Sequence, residues 1–166
     1  MLSFKEFFNE VELSNNVSRE DMDGEKYFDL DKLGKPKKSA GGYDLYQDGD
    51  MFFLAKDGLY ISYSDTSKDK INGKKAYYFT SIHSKERGGF RKLLDLMMKL
   101  PGVKYLVSDS LLTDDAMKFY KKILNDKSIK KALIHFEELY KEGNEFSEED
   151  IKLALTDPAY TIAIVK

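Results

Sequence analysis

The chain has 166 residues, of which 42% are hydrophobic and 34% charged, with a formal net charge of -2. This length supports one domain with a sizeable core and is short for two. The absence of cysteine excludes disulfides, thiolate catalysis and cysteine-ligated metals. Two histidines are too few for a histidine-built metal centre, so we expect no metal.

The sequence contains no apolar run as long as a membrane span, and charges interrupt the hydrophobic residues of segment 1–8. We therefore expect a cytoplasmic protein without a membrane partner. The near-neutral net charge argues against a dedicated nucleic-acid binder.

The first predicted element is a helix over Ser3–Leu13, where Ser3 and Glu6 have the spacing of a capping box. From Ser14 to Gly42 the pattern is that of a loop, with at most a short helix near Tyr27.

The next segment predicts an antiparallel meander. A strand is expected at Tyr43–Gln47, followed by a hairpin of Met51–Lys56 and Leu59–Ser64 around the turn Asp57-Gly58. The polar segment Asp65–Lys75 is interpreted as a second turn.

A crossover unit follows the meander. It consists of a strand at Ala76–Ile82, a helix over Gly88–Leu100 that ends before Pro101-Gly102, and a strand at Val103–Val107. Because a helix connects them, the two strands are expected to be parallel.

The last part of the chain predicts a helix capped by Thr113 and a segment, Ile129–Tyr140, that fits either a helix or a strand. We favour a strand over Leu133–Leu139. A helix over Ser147–Leu155 and a strand at Ala159–Val165 complete the pattern.

These elements predict the fold class α/β (α+β), with a mixed, mostly antiparallel central sheet flanked by helices. We expect one domain over 1–166, with a helix and loop region at 1–42 and the sheet core at 43–166.

The loop between the first crossover strand and its helix has the composition of an anion site. Gly88 and Gly89 lie where the helix begins, and the basic residues nearby are Lys85, Arg87, Arg91 and Lys92. A helix N-terminus and its exposed N–H groups favour negative charge. The alternatives are a loop that needs only glycine's freedom and a solvated run of charges.

Two motifs resemble those of the GCN5-related N-acetyltransferase superfamily. The segment Ile82–Leu94 is similar to the family's Val-x-Pro-x-x-Arg-Gly-x-Gly-x-Gly-x-x-Leu-Leu run, although it is one residue shorter and Arg91 replaces the last small residue. The segment Thr113–Tyr120 is similar to the family's Asn-x-x-Ala-x-x-Phe-Tyr. Together they span about the middle third of the chain.

The resemblance implies an acyltransferase that moves an acetyl group from acetyl-CoA, its co-substrate, to an amine by direct attack. It implies a sheet with a splayed, V-shaped opening and Tyr120 as the acid that protonates the thiolate. The implied acetyl-CoA contacts are Ser81, Ile82, His83, Arg87, Gly88, Gly89, Phe90, Arg91, Lys92 and Thr113.

The amine must lose a proton, so the reaction needs an acceptor for it. The strand Ala76–Ile82 has no Glu, where the family often has one. His83 is the first candidate for the base, because it titrates in the right range, and Asp109 and Ser110 are further candidates.

Two alternative functions remain open. One is a catalytically degenerate acetyltransferase fold that serves as an interaction or structural module, of phage origin for example. The other is a nucleic-acid-modifying enzyme that uses Lys74, Lys75, Lys85, Arg87, Lys121 and Lys122. The sequence leaves open whether the acceptor is a small molecule or a protein, and it is compatible with a homodimer.

Overall fold

The structure is a computed structural model that describes residues 30–166, and it has an α+β architecture. After a 3₁₀ turn at Leu30–Leu33, the strands are β1 (Lys38–Ala40), β2 (Tyr43–Asp48), β3 (Met51–Lys56), β4 (Leu59–Ile71), β5 (Lys74–Ser84), β6 (Val103–Val107), β7 (Lys131–His135), β8 (Glu138–Gly143) and β9 (Tyr160–Val165). The helices are α1 (Gly89–Met98), α2 (Asp114–Asn125) and α3 (Glu148–Thr156).

The nine strands form one sheet in the order β1-β2-β3-β4-β5-β6-β9-β7-β8. Its pairs are antiparallel except β5 with β6, so the expectation of a mixed, mostly antiparallel sheet is confirmed. The helices predicted at Ser3–Leu13 and near Tyr27 lie outside the described residues.

The hairpin of β3 and β4 is confirmed, with Asp57 and Gly58 at φ 52° and 75°. Both residues of a tight two-residue turn need positive φ to match the twist of the strands, and Asp-Gly tolerates it. The strand expected at Tyr43–Gln47 is confirmed as β2.

The turn predicted over Asp65–Lys75 is wrong, because β4 continues to Ile71 and only Asn72-Gly73 form the turn. Ile71 has no exposed surface, and it holds the end of β4 in the core while the polar residues before it face solvent on a paired strand. A second correction concerns β1, which lies in the segment predicted as a loop and pairs with β2.

The crossover of β5, α1 and β6 is confirmed, and β5 and β6 are parallel. Helix α1 buries Phe90, Leu93 and Met97 against the sheet, as the helical spacing of these residues predicts. Helix α2 begins at Thr113, whose hydroxyl accepts a hydrogen bond from the Ala116 N–H at 3.3 Å, which confirms the predicted cap.

The strand predicted over Leu133–Leu139 is correct only as far as His135. The chain then reverses at Phe136 and Glu137, with φ 46° and 70°, and returns as β8. A left-handed conformation costs about 1–2 kcal/mol per residue for residues other than glycine. Phe and Glu are not typical turn residues, so the sequence does not predict a turn at this position. Strand β9, predicted at Ala159–Val165, is confirmed and lies between β6 and β7.

The sheet has an apolar cluster on each face. The larger one lies under the helices and contains side chains of α1 and α2 together with Phe52, Tyr77 and Ile162. The smaller one includes Tyr105, Ala132 and Ala163 on the opposite face.

None of the helices within residues 30–166 is long and apolar enough to cross a membrane.

Helix α3 begins with a complete capping box. The Ser147 hydroxyl accepts from the Asp150 N–H at 3.1 Å, and the Asp150 carboxylate accepts from the Ser147 N–H at 3.0 Å. The hydrogen bond from the Lys141 ammonium is the main cause that lowers the pKa of Asp150. The helix predicted at Ser147–Leu155 is therefore confirmed, and an ion pair between the largely buried Asp150 and the half-exposed Lys141 joins it to β8.

We predict that Asp150→Asn lowers the free energy of unfolding at neutral pH by about 0.5–1.5 kcal/mol, because it removes the charged partner of the half-exposed Lys141 and the charge that strengthens the capping box. A carboxylate whose pKa is lowered on folding stabilises the protein above its unfolded pKa of about 3.8 and loses this effect as pH falls through the folded value. Urea unfolding at neutral and acidic pH should show the difference shrinking in acid. Glu149→Gln is the control, and an equal loss in both variants would contradict the prediction.

Candidate functional site

Strands β5 and β6 separate toward their carboxyl ends. Their pairing ends where Tyr78 faces Val107, although β5 continues to Ser84 beside β4. The chain after β6 stays with β9, because the Ser108 N–H donates to the Ile162 carbonyl at 2.8 Å and the Ser108 hydroxyl accepts from the Ile162 N–H at 3.0 Å. The sheet therefore opens into a wedge between β5 and the segment that follows β6.

A β-bulge lies at this opening. Asp65 faces Ser81 and Thr66 faces Phe79, so Thr80 is an extra residue in β5 without a partner on β4. An extra residue shifts the alternation of side chains along a strand. Phe79 and Ile82 consequently both pack with the helix-side cluster.

The wedge contains a cavity of about 130 Å³. Its first wall is β5 at the bulge, and its second wall is formed by the segment after β6 and the first turns of α2. The residues that line it are Phe79, Thr80, Ser81, Ile82, Asp109, Leu111, Leu112, Thr113, Ala116 and Tyr120. The cavity is therefore largely apolar, with hydroxyl groups and one carboxylate at its edges.

Tyr120 is the predicted catalytic residue, and it lines this cavity. Its side chain is 5% exposed and packs edge-to-face on Phe119, with ring centroids 4.9 Å apart. Burial raises the pKa of the Tyr120 phenol, and the charge of Asp109 raises it further. The phenol consequently keeps its proton throughout the physiological range.

Four of the predicted site residues meet at the cavity, namely Ser81, Ile82, Thr113 and Tyr120. The Ser81 hydroxyl donates to an Asp65 carboxylate oxygen at 2.7 Å. Asp65 is not among the predicted site residues, because it lies in the segment predicted as a turn. Asp109, a candidate for the base, also lines the cavity, whereas Ser110 does not.

The glycines of the predicted anion loop lie beside the wedge and do not line the cavity. Gly88 is the N-cap of α1, with φ 82° and no side-chain hydrogen bond at the cap. Gly89 packs closely on β4, because a Cβ there would collide with the Ser84 hydroxyl and lie 3.0 Å from the Ile61 side chain. The local fold thus requires Gly88 for its positive φ and Gly89 for its lack of a side chain.

The basic residues around α1 have different surroundings. Arg91 forms an ion pair with Asp95 one turn later, at 3.8 Å, and the Lys92 ammonium lies 5.6 Å from the centre of the Tyr43 ring. Arg87 and Lys85 are exposed at the loop, with the exposed Glu86 between them, and the Lys85 ammonium lies 5.0 Å from the centre of the Tyr60 ring. The loop before the helix therefore exposes two basic side chains and one carboxylate.

Phe90, another predicted contact, is 5% exposed and packs edge-to-face on Phe79 at 5.8 Å. Its side chain therefore belongs to the core beneath the cavity wall.

His83 is also separate from the cavity. Its imidazole is 5% exposed and stacks on the Tyr63 ring at 4.5 Å, and its carbonyl accepts a hydrogen bond from the Ser62 hydroxyl at 2.5 Å. Burial lowers the pKa of His83, and the nearby charge of Asp65 offsets part of this effect. A neutral imidazole near pH 7 can accept a proton, but this one lies outside the cavity wall.

Within residues 30–166, no group of three or more His, Asp or Glu residues is arranged to hold a metal ion. No protein-family model matches the chain, and no curated protein is significantly similar to it.

We predict that the protein loses stability as pH falls below about 6.5, the ordinary pKa of histidine, partly because of His83. A histidine whose pKa is lowered on folding takes up its proton more readily in the unfolded chain, so acid favours unfolding. In His83→Gln, urea midpoints between about pH 7.5 and about pH 5.5 should change less than in the parent protein. Equal changes in the two proteins would show that His83 has no part in this pH dependence.

Proposed function

We propose that the protein is an acyl-CoA-dependent N-acyltransferase with an N-acetyltransferase-like fold, and that acetyl-CoA is its co-substrate. One observation carries the proposal. A cavity opens where two parallel strands diverge, and it contains a buried, protonated tyrosine on the following helix. The sequence motifs around the loop and around Tyr120 support the same function independently.

The start of α1 is suited to the phosphate groups of the co-substrate. The N-cap at Gly88 leaves the first turn without a side-chain partner, and the exposed Lys85 and Arg87 add positive charge. We assign the phosphates to this region. Contacts from Lys85, Arg91 and Lys92 would require these side chains to leave Tyr60, Asp95 and Tyr43, respectively.

The wedge is suited to the extended arm of the co-substrate. From Phe79 onward β5 pairs with β4 alone, so its other edge offers backbone N–H and C=O groups to a ligand. An extended amide chain can hydrogen-bond to such an edge as an added strand does. The apolar lining at Ile82, Leu112 and Ala116 then excludes water from the thioester.

In the proposed reaction, the neutral amine attacks the thioester carbonyl carbon and forms the new N–C bond. The C–S bond breaks, and the sulfur takes the proton of the Tyr120 hydroxyl as it leaves. Burial raises the pKa of this phenol, which keeps it protonated, and the same apolar surroundings raise the proton affinity of the departing thiolate. The amine gives up its proton to a carboxylate or to water, and Asp109 is the carboxylate that lines the cavity.

A second candidate is an interaction module that keeps the fold without the chemistry. Packing against Ser84 and Ile61 explains Gly89 without a ligand, and Asp95 already engages Arg91. This alternative predicts no binding of acetyl-CoA.

A nucleic-acid function has less support. Lys75 and Lys85 lie near opposite ends of β5, about 33 Å apart at ~3.3 Å per residue, so the basic residues do not form one compact patch.

We predict that Tyr120→Phe lowers kcat for acyl transfer by about 10²–10⁴-fold, because it removes the proton donor and preserves the ring that packs on Phe119. Acetyl-CoA binding, measured by calorimetric titration, should change little. Unchanged turnover would remove Tyr120 from the mechanism.

We predict that Ala116→Leu abolishes acetyl-CoA binding, because a larger side chain fills a cavity of only about 130 Å³. Met117→Leu, one position later on α2 and outside the cavity lining, is the matched control and should bind normally. If the parent protein shows no binding even at millimolar acetyl-CoA, the transferase proposal fails and the interaction module is favoured.

A further inference from the structure

The turn between β7 and β8 differs from the other two-residue hairpin turns of the sheet. All four of those turns contain glycine, at Gly41-Gly42, Gly49-Asp50, Asp57-Gly58 and Asn72-Gly73. In contrast, Phe136 and Glu137 both adopt positive φ, and Phe136 is 72% exposed. A bulky residue in this conformation is an outlier, and such outliers concentrate at functional sites.

Four aromatic rings lie together at this turn. His135 stacks on Tyr160 at 4.6 Å and contacts Phe136 at 4.6 Å, while Tyr140 packs edge-to-face on Tyr160 at 5.4 Å. Tyr140 is 52% exposed, so two of the four rings, those of Phe136 and Tyr140, present large surfaces to solvent. We call these four residues the hairpin-tip patch.

Three carboxylates lie beside the hairpin-tip patch. Glu137 and Glu138 are exposed at the turn, and the half-buried Asp157 precedes β9, where its carboxylate accepts from the Ala159 N–H at 2.9 Å. The ion pairs of the described residues lie elsewhere, and none includes these three. Exposed rings next to carboxylates form a surface that is complementary to cations with an aliphatic stem.

The hairpin-tip patch lies at the same end of the sheet as the wedge. Strands β6 and β7 both run antiparallel to β9, so the chain after Val107 and the turn after His135 leave the sheet at one edge. With β9 between them, β6 and β7 are about 10 Å apart at ~4.8 Å per strand.

The two sides of the wedge differ in their exposed charges. The loop on the β5 side exposes Lys85 and Arg87 with one carboxylate, Glu86, between them, whereas Asp109 lies on the β6 side and the carboxylates of the hairpin tip lie further along the same edge. An anionic co-substrate is favoured on the first side, and a cation on the second.

We propose that the hairpin-tip patch docks a basic peptide segment of a partner protein and presents one of its lysine amines to the wedge. The lysine stems cover Phe136 and Tyr140, and their ammonium groups face Glu137, Glu138 and Asp157. Small molecules bind in enclosed pockets, whereas Phe136 and Tyr140 are exposed, so this surface is better suited to an extended segment than to a small amine. The presentation of the amine rests on the proposed function, whereas the docking does not.

The test uses the double variant Phe136→Asn/Glu137→Gly, which replaces the unusual turn by the Asn-Gly pair that two-residue hairpins prefer. We expect its denaturation midpoint to rise, because the strain of the turn is relieved. The probe is a short fluorescent peptide of alternating lysine and glycine, titrated into the full chain and followed by anisotropy. We expect about tenfold weaker binding by the double variant than by the parent protein, and weaker binding by both at high salt.

Matched controls separate this site from general effects. Leu59→Ala removes a side chain that is 68% exposed at another hairpin, and Glu149→Gln removes an exposed carboxylate on α3. Both controls should bind the peptide normally, and a glutamate-glycine peptide should not bind. Equal binding by the parent protein and the double variant, or binding of spermidine but not of the peptide, would overturn the proposal.

Acyl-transfer assays distinguish this inference from the proposed function. Transfer to the lysine peptide should show a higher KM and the same kcat in the double variant, with acetyl-CoA binding unchanged. Tip-dependent peptide binding without any transfer would support the docking and refute the acyltransferase. Transfer to small amines by a protein that does not bind the peptide would support the acyltransferase and overturn the docking.

Discussion

The structure of the site depends on where β5 and β6 stop pairing. Parallel strands that stay together leave no space between them, and here the hydrogen bonds of Ser108 to Ile162 hold the chain after β6 against β9. The bulge at Thr80 then directs Ile82 toward the helices, so the open edge of β5 receives an apolar lining. Backbone groups that would be costly to bury unpaired thus become available to a ligand.

The divergence also explains why the tyrosine is both buried and accessible to the cavity. The segment that leaves β6 must return over the sheet to begin α2, and the Thr113 cap fixes where that helix starts. Tyr120 lies two turns later on the face that carries Phe119 and Ile123 into the core. Its side chain consequently lines the cavity, where burial raises the pKa of the phenol and favours the neutral form over a phenolate.

The sequence predicted most elements whose local chemistry agrees with the final fold. The Asp57-Gly58 turn and the Thr113 cap are examples, since each is set by residues close in sequence. The predictions were wrong where tertiary packing overrides local preference. The burial of Ile71 extends β4 across a polar segment, and the chain reverses at Phe136 although Phe is not a typical turn residue.

The site shows the same division between local and long-range information. The family resemblance implied Tyr120 and Ser81, because it contains information about positions distant in sequence, and both residues line the cavity. Asp65 could not, because its role depends on a cross-strand hydrogen bond to Ser81 and on the position of the bulge. A single sequence indicates which residues can carry out chemistry, but the pairing register determines which of them meet. His83 illustrates the difference, since it adjoins Ile82 in sequence and yet lies outside the cavity wall.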